Sequence, residues 1–212
     1  HDDFYFCPGW DTEFVKEINN IKHNNFYLSG TMVGAGQIEF DAGQTVDNFN
    51  ETKLLNNLDN IKTFDFQGTT KCPGLVHKDI WEMVGGWSEE FSPTGGDDTD
   101  FAMKLWKMNI RIFKGLGKSL AYHFGSITTR KKDKSLFTYL GSRGNKIFLK
   151  KWGVSINFFE KVYLKSGLDK NKKLIFNKYH APLTDPIKNL NYYIDLIKAK
   201  FQLFYLKVIN YK

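Results

Sequence analysis

The stretch that decides the fold is an acidic turn leading into an apolar helix: Gly95-Gly96-Asp97-Asp98-Thr99-Asp100-Phe101. The apolar spacing after the turn predicts a helix over 98–108, and residues 110–113 then predict a short strand. Further strands are predicted at 4–6, 26–33, 63–67 and 119–123, and further helices at 11–22, 51–61 and 77–84. This alternation predicts an α/β fold.

Residues from 134 onward are predicted to be helical, and the last helix, 186–209, has the clearest pattern. Its apolar residues recur at spacings of three and four, and Pro186 suits a first helical turn. A helix packed on the body of the protein, an interfacial membrane helix and a coiled-coil partner all fit such a stripe. We expect two parts, 1–153 and 154–212.

The charge of the chain is divided unevenly along its 212 residues. Residues 1–100 carry a net charge of −12 (6 basic against 18 acidic), and residues 101–212 carry +19 (24 basic against 5 acidic). The acidic half suits a metal ion, and the basic half suits phosphates, acidic polymers or an anionic membrane. Only three of the 30 basic residues are Arg, so no specific nucleic-acid binding is predicted.

The two cysteines, Cys7 and Cys72, are too far apart in sequence to indicate a metal site. A disulfide remains open, but free thiols in a reducing compartment fit better. No apolar run is long enough to span a bilayer. The expected location is the cytoplasm, with helix 186–209 available to a membrane surface or a partner protein.

The acidic turn is the first candidate for chemistry. Asp97 or Asp98 could cap the helix, but capping needs one carboxylate and this turn has three within four residues. Carboxylates packed this closely repel each other unless a cation or ligand offsets the repulsion. A carboxylate here could also take a proton from a hydroxyl.

Two further groups could serve a metal ion or a diphosphate. Asp2 and Asp3 adjoin a predicted strand, where carboxylates can bind Mg²⁺ or Mn²⁺, although an exposed turn is the simpler interpretation. His123 follows another strand, and Arg130 and Lys131 lie in the basic loop after it. The histidine could be structural, or it could complete a metal site.

The order of these motifs resembles an inverting GT-A glycosyltransferase of the family 2 type. The matching segments extend over about residues 1–153, and the block at 85–106 is the most specific. They are Asp2 to Asp11, Cys72 to Val76, Val84 to Phe91, Gly96 to Trp106, His123 to Ser126, Arg143-Gly144-Asn145 and Phe148 to Gly153.

The resemblance implies a GT-A-like mixed sheet flanked by helices and a role for each matching residue. Asp3 with Asp2 would hold Mn²⁺ or Mg²⁺ at the diphosphate of a nucleotide-sugar donor, and His123 would be a further ligand. Asp98, beside Asp97, would deprotonate the hydroxyl of a glycan, lipid-linked or protein acceptor. The acceptor would contact Trp87 and Asp100, and the donor diphosphate would contact Arg130 and Lys131.

The chain departs from the family pattern in two respects. Asp97 stands where the family usually has Glu, and the nucleotide-binding βαβ half that normally precedes the metal motif is not within these residues, so we expect a longer protein. Two other classes remain open, the first suggested by the basic second half of the chain and the second by the two acidic clusters. One is a non-catalytic module that binds carbohydrate or polyanions, and the other is a metal-dependent phosphoesterase or nuclease.

Overall fold

The computed structural model describes residues 3–68, 73–93, 95–125, 134–168, 174–175 and 177–209. Asp2, Cys72, Arg130 and Lys131 lie outside these ranges. Within them no helix is both long enough and apolar enough to cross a membrane.

The structure is α/β, as predicted, with one mixed sheet, flanking helices and a helical C-terminal part. Its strands are β1 (Phe4–Phe6), β2 (Phe26–Gly34), β3 (Phe66–Gln67), β4 (Gly74–Leu75) and β5 (Ile112–His123), with a separate short pair, β6 (Gly167–Leu168) and β7 (Leu174–Ile175). Its helices are α1 (Trp10–Ile21), α2 (Glu51–Leu55), α3 (Leu58–Ile61), α4 (Lys78–Met83), α5 (Asp97–Lys107), α6 (Lys134–Trp152), α7 (Ile156–Phe158) and α8 (Leu190–Ile209). Shorter helical turns lie at Val46–Asn48, Glu89–Phe91 and Phe159–Tyr163.

Strand β5 organises the sheet because three other strands pair with it. It runs parallel to β2 and antiparallel to β1 and β3, while β2 carries β4 on its other side. Phe4 and Gly34 both lie opposite His123. The start of β1 and the ends of β2 and β5 therefore meet at one edge of the sheet.

The prediction of two separate strands at 110–113 and 119–123 needs correction. The structure has one continuous strand whose pairing with β2 shifts between Ser29 and Thr31, from Gly115 to Leu120. Gly115 and Gly117 lie where an added Cβ would meet Phe66 and the Thr63 backbone. Glycines therefore break the apolar pattern at a close approach of β3 without ending the strand.

Two helix predictions also need correction. The single helix expected over 51–61 is broken into α2 and α3 at Asn56 and Asn57. The last helix begins at Leu190 and not at Pro186, so the proline lies in the segment that leads to it.

The largest core cluster unites the two expected parts of the chain. It contains Phe101 and Phe113 from the first part and Phe158, Phe159 and Leu164 from the second, all buried. The C-terminal part therefore packs on the same hydrophobic core as α5 and β5. Cys7 is a free thiol buried in a second cluster, and burial raises its pKa to about 11.

Candidate functional site

The first group of candidate residues lies at the edge of the sheet where β1, β2 and β5 meet. His123 Nε2 is 3.0 Å from Asp3 Oδ2, and the two side chains are 13% and 12% exposed. The ring of Phe4 stacks on the imidazole at 4.7 Å between ring centroids. The structure thus brings together the two predicted metal ligands, which are 120 residues apart in sequence.

A backbone carbonyl orients the histidine. His123 Nδ1 lies 2.6 Å from the Ala35 carbonyl oxygen, an acceptor that requires a proton on Nδ1. In the neutral ring, Nε2 then carries its lone pair toward the Asp3 carboxylate. Two acceptors at this distance need a proton or a metal cation between them, because their lone pairs repel each other.

The donor set fits a divalent ion. A histidine that binds a metal commonly donates its other ring N–H to a backbone carbonyl, and the Ala35 carbonyl lies where it could accept such a hydrogen bond from His123. Two neighbouring ligand atoms of an octahedral ion with bonds of about 2.1 Å lie about 3.0 Å apart. Among the residues that the structure describes, no group of three or more His, Cys, Asp or Glu is placed to hold a metal ion.

A cavity of about 580 Å³ opens beside His123. Its wall includes the loop after β2, with Glu39, Asp41 and Gln44. Tyr122 holds this loop: it accepts a hydrogen bond from the Ala42 N–H at 2.9 Å and donates one to the Gly43 carbonyl at 2.7 Å. The position of this loop could not be predicted from the sequence, because its residues have no regular apolar period.

The second group of candidate residues is the acidic turn at the start of α5. Gly96, with a positive φ of 90°, is the N-cap, so neither Asp97 nor Asp98 caps the helix. Asp97 accepts a hydrogen bond from the Gly95 N–H at 2.9 Å. Asp98 lies one residue further into the first turn and is partly exposed.

Asp100 lies in a different environment from its neighbours. Its side chain is buried and accepts hydrogen bonds from the Ser88 hydroxyl at 2.6 Å and the Trp152 indole N–H at 2.7 Å. Lys151 Nζ lies 3.0 Å from its Oδ1. Because these groups enclose the carboxylate, Asp100 ties α5 to the end of α6 and does not face an acceptor, contrary to the expectation from sequence.

Lys151 binds a second carboxylate as well. Its Nζ lies 2.8 Å from Glu90. Burial acts to lower the pKa of Lys151, but the hydrogen bonds to Glu90 and Asp100 outweigh burial and raise the pKa above its ordinary value. The lysine therefore stays charged and joins the turn before α5 to α6.

Trp87 lies beside the acidic turn. Its ring contacts Phe101 at 4.9 Å and Trp81 at 5.7 Å between centroids, and 42% of its surface is exposed. Phe101 follows Asp98 by three residues on α5, so both lie on one side of the helix. Lys104 donates to the Gly86 carbonyl at 2.9 Å and thereby fixes the Gly85-Gly86 turn that leads to Trp87.

Next to Trp87 is an apolar cavity of about 340 Å³. It is lined mostly by aromatic and aliphatic residues, with one lysine: Tyr27, Gly74, Leu75, Val76, Lys78, Trp81, Trp87 and Phe101. Aromatic faces of this kind suit the apolar side of a sugar ring.

Helix α6 packs against the acidic turn and against the segment just before it. Arg143 donates to the carbonyls of Ser92 and Glu90, both at 2.9 Å. At Gly144 the helix backbone approaches the turn so closely that an added Cβ would lie 1.7 Å from the Gly95 carbonyl oxygen. In the sequence, Arg143 and Gly144 matched a family motif, but nothing there assigned them this supporting role.

Gly144→Ala is expected to destabilise the protein and to displace the acidic turn, because backbone atoms would have to move to admit the methyl group. Gly141→Ala is the matched control on the same helix. Nothing lies within 4 Å of an added Cβ there, and an exposed helical Gly→Ala exchange stabilises by up to about 1 kcal/mol. Urea unfolding of both variants should show shifts of opposite sign, and a stabilised Gly144→Ala protein would contradict the close approach.

No protein-family model, curated protein or solved structure matches this chain. The assignment of function therefore rests on the residues described above and on the motif resemblance in the sequence.

Proposed function

We propose that this chain carries the metal-binding and acceptor-binding part of a metal-dependent inverting glycosyltransferase. The enzyme would move a sugar from a nucleotide-sugar to a hydroxyl of a glycan, a lipid-linked acceptor or a protein. The observation that carries the proposal is the pairing of His123 with Asp3, in which the Ala35 carbonyl orients the imidazole.

Asp3 and His123 are the residues proposed to hold Mn²⁺ or Mg²⁺. An imidazole ligand beside a carboxylate favours Mn²⁺, because Mg²⁺ prefers oxygen ligands. The ion, when bound, would supply positive charge to the leaving diphosphate. Asp2, Arg130 and Lys131 lie outside the described residues, and their roles at the donor remain predictions.

Asp98 is the proposed general base, and Trp87 the proposed acceptor platform. The acceptor hydroxyl would lose its proton to the Asp98 carboxylate while its oxygen bonds to the anomeric carbon and the bond from that carbon to the diphosphate oxygen breaks. Such a displacement requires an acceptor held in line with the leaving group. Trp87, which is 42% exposed, is proposed to hold the sugar ring of the acceptor.

Asp97 and Asp100 have supporting roles in this proposal. Asp97 binds the Gly95 N–H and so shapes the turn that presents Asp98. Asp100 joins that turn to α6 through Lys151 and Trp152. In this proposal Asp98 takes the proton, while Asp97 and Asp100 hold the turn in position.

Manganese binding by the chain tests the proposed metal site directly. Wild-type protein titrated with Mn²⁺ near neutral pH should bind the ion, and His123→Ala or Asp3→Ala should weaken binding by at least about tenfold, because each removes a ligand. The measurement is the loss of the free Mn²⁺ signal in electron paramagnetic resonance.

His77→Ala is a matched control for the metal test. His77 also lies beside an aspartate, Asp79, at 3.5 Å, but that pair is exposed and near in sequence. Mn²⁺ binding should be unchanged in this variant. Equal binding by wild type and His123→Ala would refute the metal site.

Sugar transfer tests the activity itself. The protein supplied with Mn²⁺, nucleotide-sugars and candidate acceptors should release nucleoside diphosphate in an acceptor-dependent manner. Metal-independent binding of acidic polymers without any release would instead favour the non-catalytic module.

A further inference from the structure

Helix α8 has two apolar faces, and within the described part of the chain one of them packs on the body of the protein. Tyr192 and Leu196 pack against the largest core cluster, and Ala199 is buried. Leu203 and Leu206 continue this inner face, since all five residues lie within about 80° of the helix circumference.

The opposite face is apolar and exposed. We define the outer face of α8 as eight residues that are each at least 40% exposed: Leu190, Tyr193, Ile194, Ile197, Phe201, Phe204, Tyr205 and Val208. At about 100° per residue they occupy roughly 120° of the circumference, centred opposite the inner face. Contiguous exposed apolar surface of this kind marks a binding surface.

The outer face is apolar at its centre and becomes more polar toward its two edges. Isoleucine, leucine, valine and phenylalanine occupy its centre, and Tyr193 and Tyr205 lie at its two edges. Beyond the tyrosines, Lys200 follows on one side and Lys198 on the other, and both are exposed. Tyrosine and lysine are the residues that extend from an apolar phase to its polar boundary.

A basic groove adjoins the same helix. It has a volume of about 540 Å³ and includes Lys161, Lys165 and Lys198 together with Ile187 and Ile194. Its one acidic residue, Asp195, pairs with Lys198 at 3.1 Å. The surroundings of the outer face are therefore positive and complementary to anionic headgroups.

We propose that α8 lies flat on an anionic lipid bilayer, with its outer face in the acyl-chain boundary and its lysines at the headgroups. The helix is about 30 Å long, and its apolar centre, aromatic edges and basic flanks match an interfacial helix. A second copy of the chain is the less suitable occupant. Lysine flanks both sides of the face, so pairing two copies would bring like charges together.

Vesicle flotation tests the proposal. Wild-type protein should bind vesicles containing about 30 mol% phosphatidylglycerol at least tenfold more tightly than vesicles of phosphatidylcholine alone. Phe201→Ser with Phe204→Ser should lower that binding by about tenfold or more, because two large apolar groups no longer enter the bilayer. Lys198→Glu with Lys200→Glu should lower binding to the anionic vesicles and leave binding to the neutral ones unchanged.

Val46→Ser is the control, since Val46 is an apolar residue 73% exposed elsewhere on the chain. It should bind as wild type does. Phe201→Trp provides a measurement that keeps the helix apolar: the fluorescence that it adds to that of the five native tryptophans should be quenched by brominated lipid, whereas the fluorescence added by Val46→Trp should not.

Three results would overturn the proposal. One is wild-type protein that does not float with anionic vesicles, and another is a Phe201→Trp signal that brominated lipid leaves unchanged. The third is a concentration-dependent dimer in light scattering that the double serine variant abolishes, which would assign the outer face to a second copy.

Discussion

Asp98→Asn is expected to lower the rate of sugar transfer by at least about a hundredfold and to leave donor binding nearly unchanged. The amide has the size of the carboxylate but cannot take the proton of the acceptor hydroxyl, and general-base catalysis typically contributes a factor of about 10²–10⁴. Donor binding is proposed to depend on Asp3 and His123, which this substitution does not touch. The two measurements are the initial rate of transfer and titration calorimetry with the nucleotide-sugar and Mn²⁺.

The control for this substitution is Asp79→Asn. Asp79 is also an aspartate in the first turn of a helix, and its side chain is 71% exposed. It reproduces the loss of a negative charge at a helix N-terminus, which alone changes stability by about 0.3–1 kcal/mol. If Asp98→Asn transferred sugar as fast as Asp79→Asn, Asp98 would not be the general base.

Asp100→Ala is expected to lower the free energy of unfolding by about 3 kcal/mol or more. The substitution leaves the indole N–H of Trp152 and the hydroxyl of Ser88 without their acceptor, and it removes one of the two carboxylates that bind Lys151. Because Glu90 still binds Lys151, the expected loss is at the lower end of the range for a broken buried ion pair. Urea denaturation provides the measurement.

Asp185→Ala is a control that removes an ion pair of the same nitrogen–oxygen distance whose carboxylate is exposed. Asp185 lies 3.0 Å from Arg111, the same distance as Asp100 from Lys151, but its side chain is 80% exposed against 1% for Asp100. An exposed pair contributes about 0–1 kcal/mol. If both variants lost the same free energy of unfolding, burial would not explain how much the Asp100 contacts stabilise the protein.

The elements that could be predicted from sequence are those with a strong local pattern. Helix α5, strand β2 and the turn at Gly85-Gly86 have clear apolar periods or glycine stops, and the structure places them within a residue or two of the predicted positions. Pro186 was misleading because its fixed φ suits a first helical turn but does not require one.

Features that depend on distant contacts could not be predicted in this way. The continuity of β5 through Gly115 and Gly117 depends on the approach of Phe66 and Thr63, more than 45 residues away in sequence. The burial of Asp100 depends on Lys151 and Trp152 in α6, and the orientation of His123 depends on the Ala35 carbonyl. None of these partners has a local pattern that marks it.

The position of β5 in the sheet has a consequence for the order in which the chain can fold during synthesis. Strands β1, β2 and β3 all emerge from the ribosome before their shared partner at residues 112–123. Until that segment appears, β1 lacks the strand with which it pairs, and among the described strands of this sheet β2 and β4 are the two that can already pair. Long-range pairing of this kind folds slowly and exposes strand edges, so chaperone contact should concentrate on ribosomes that have not yet completed β5.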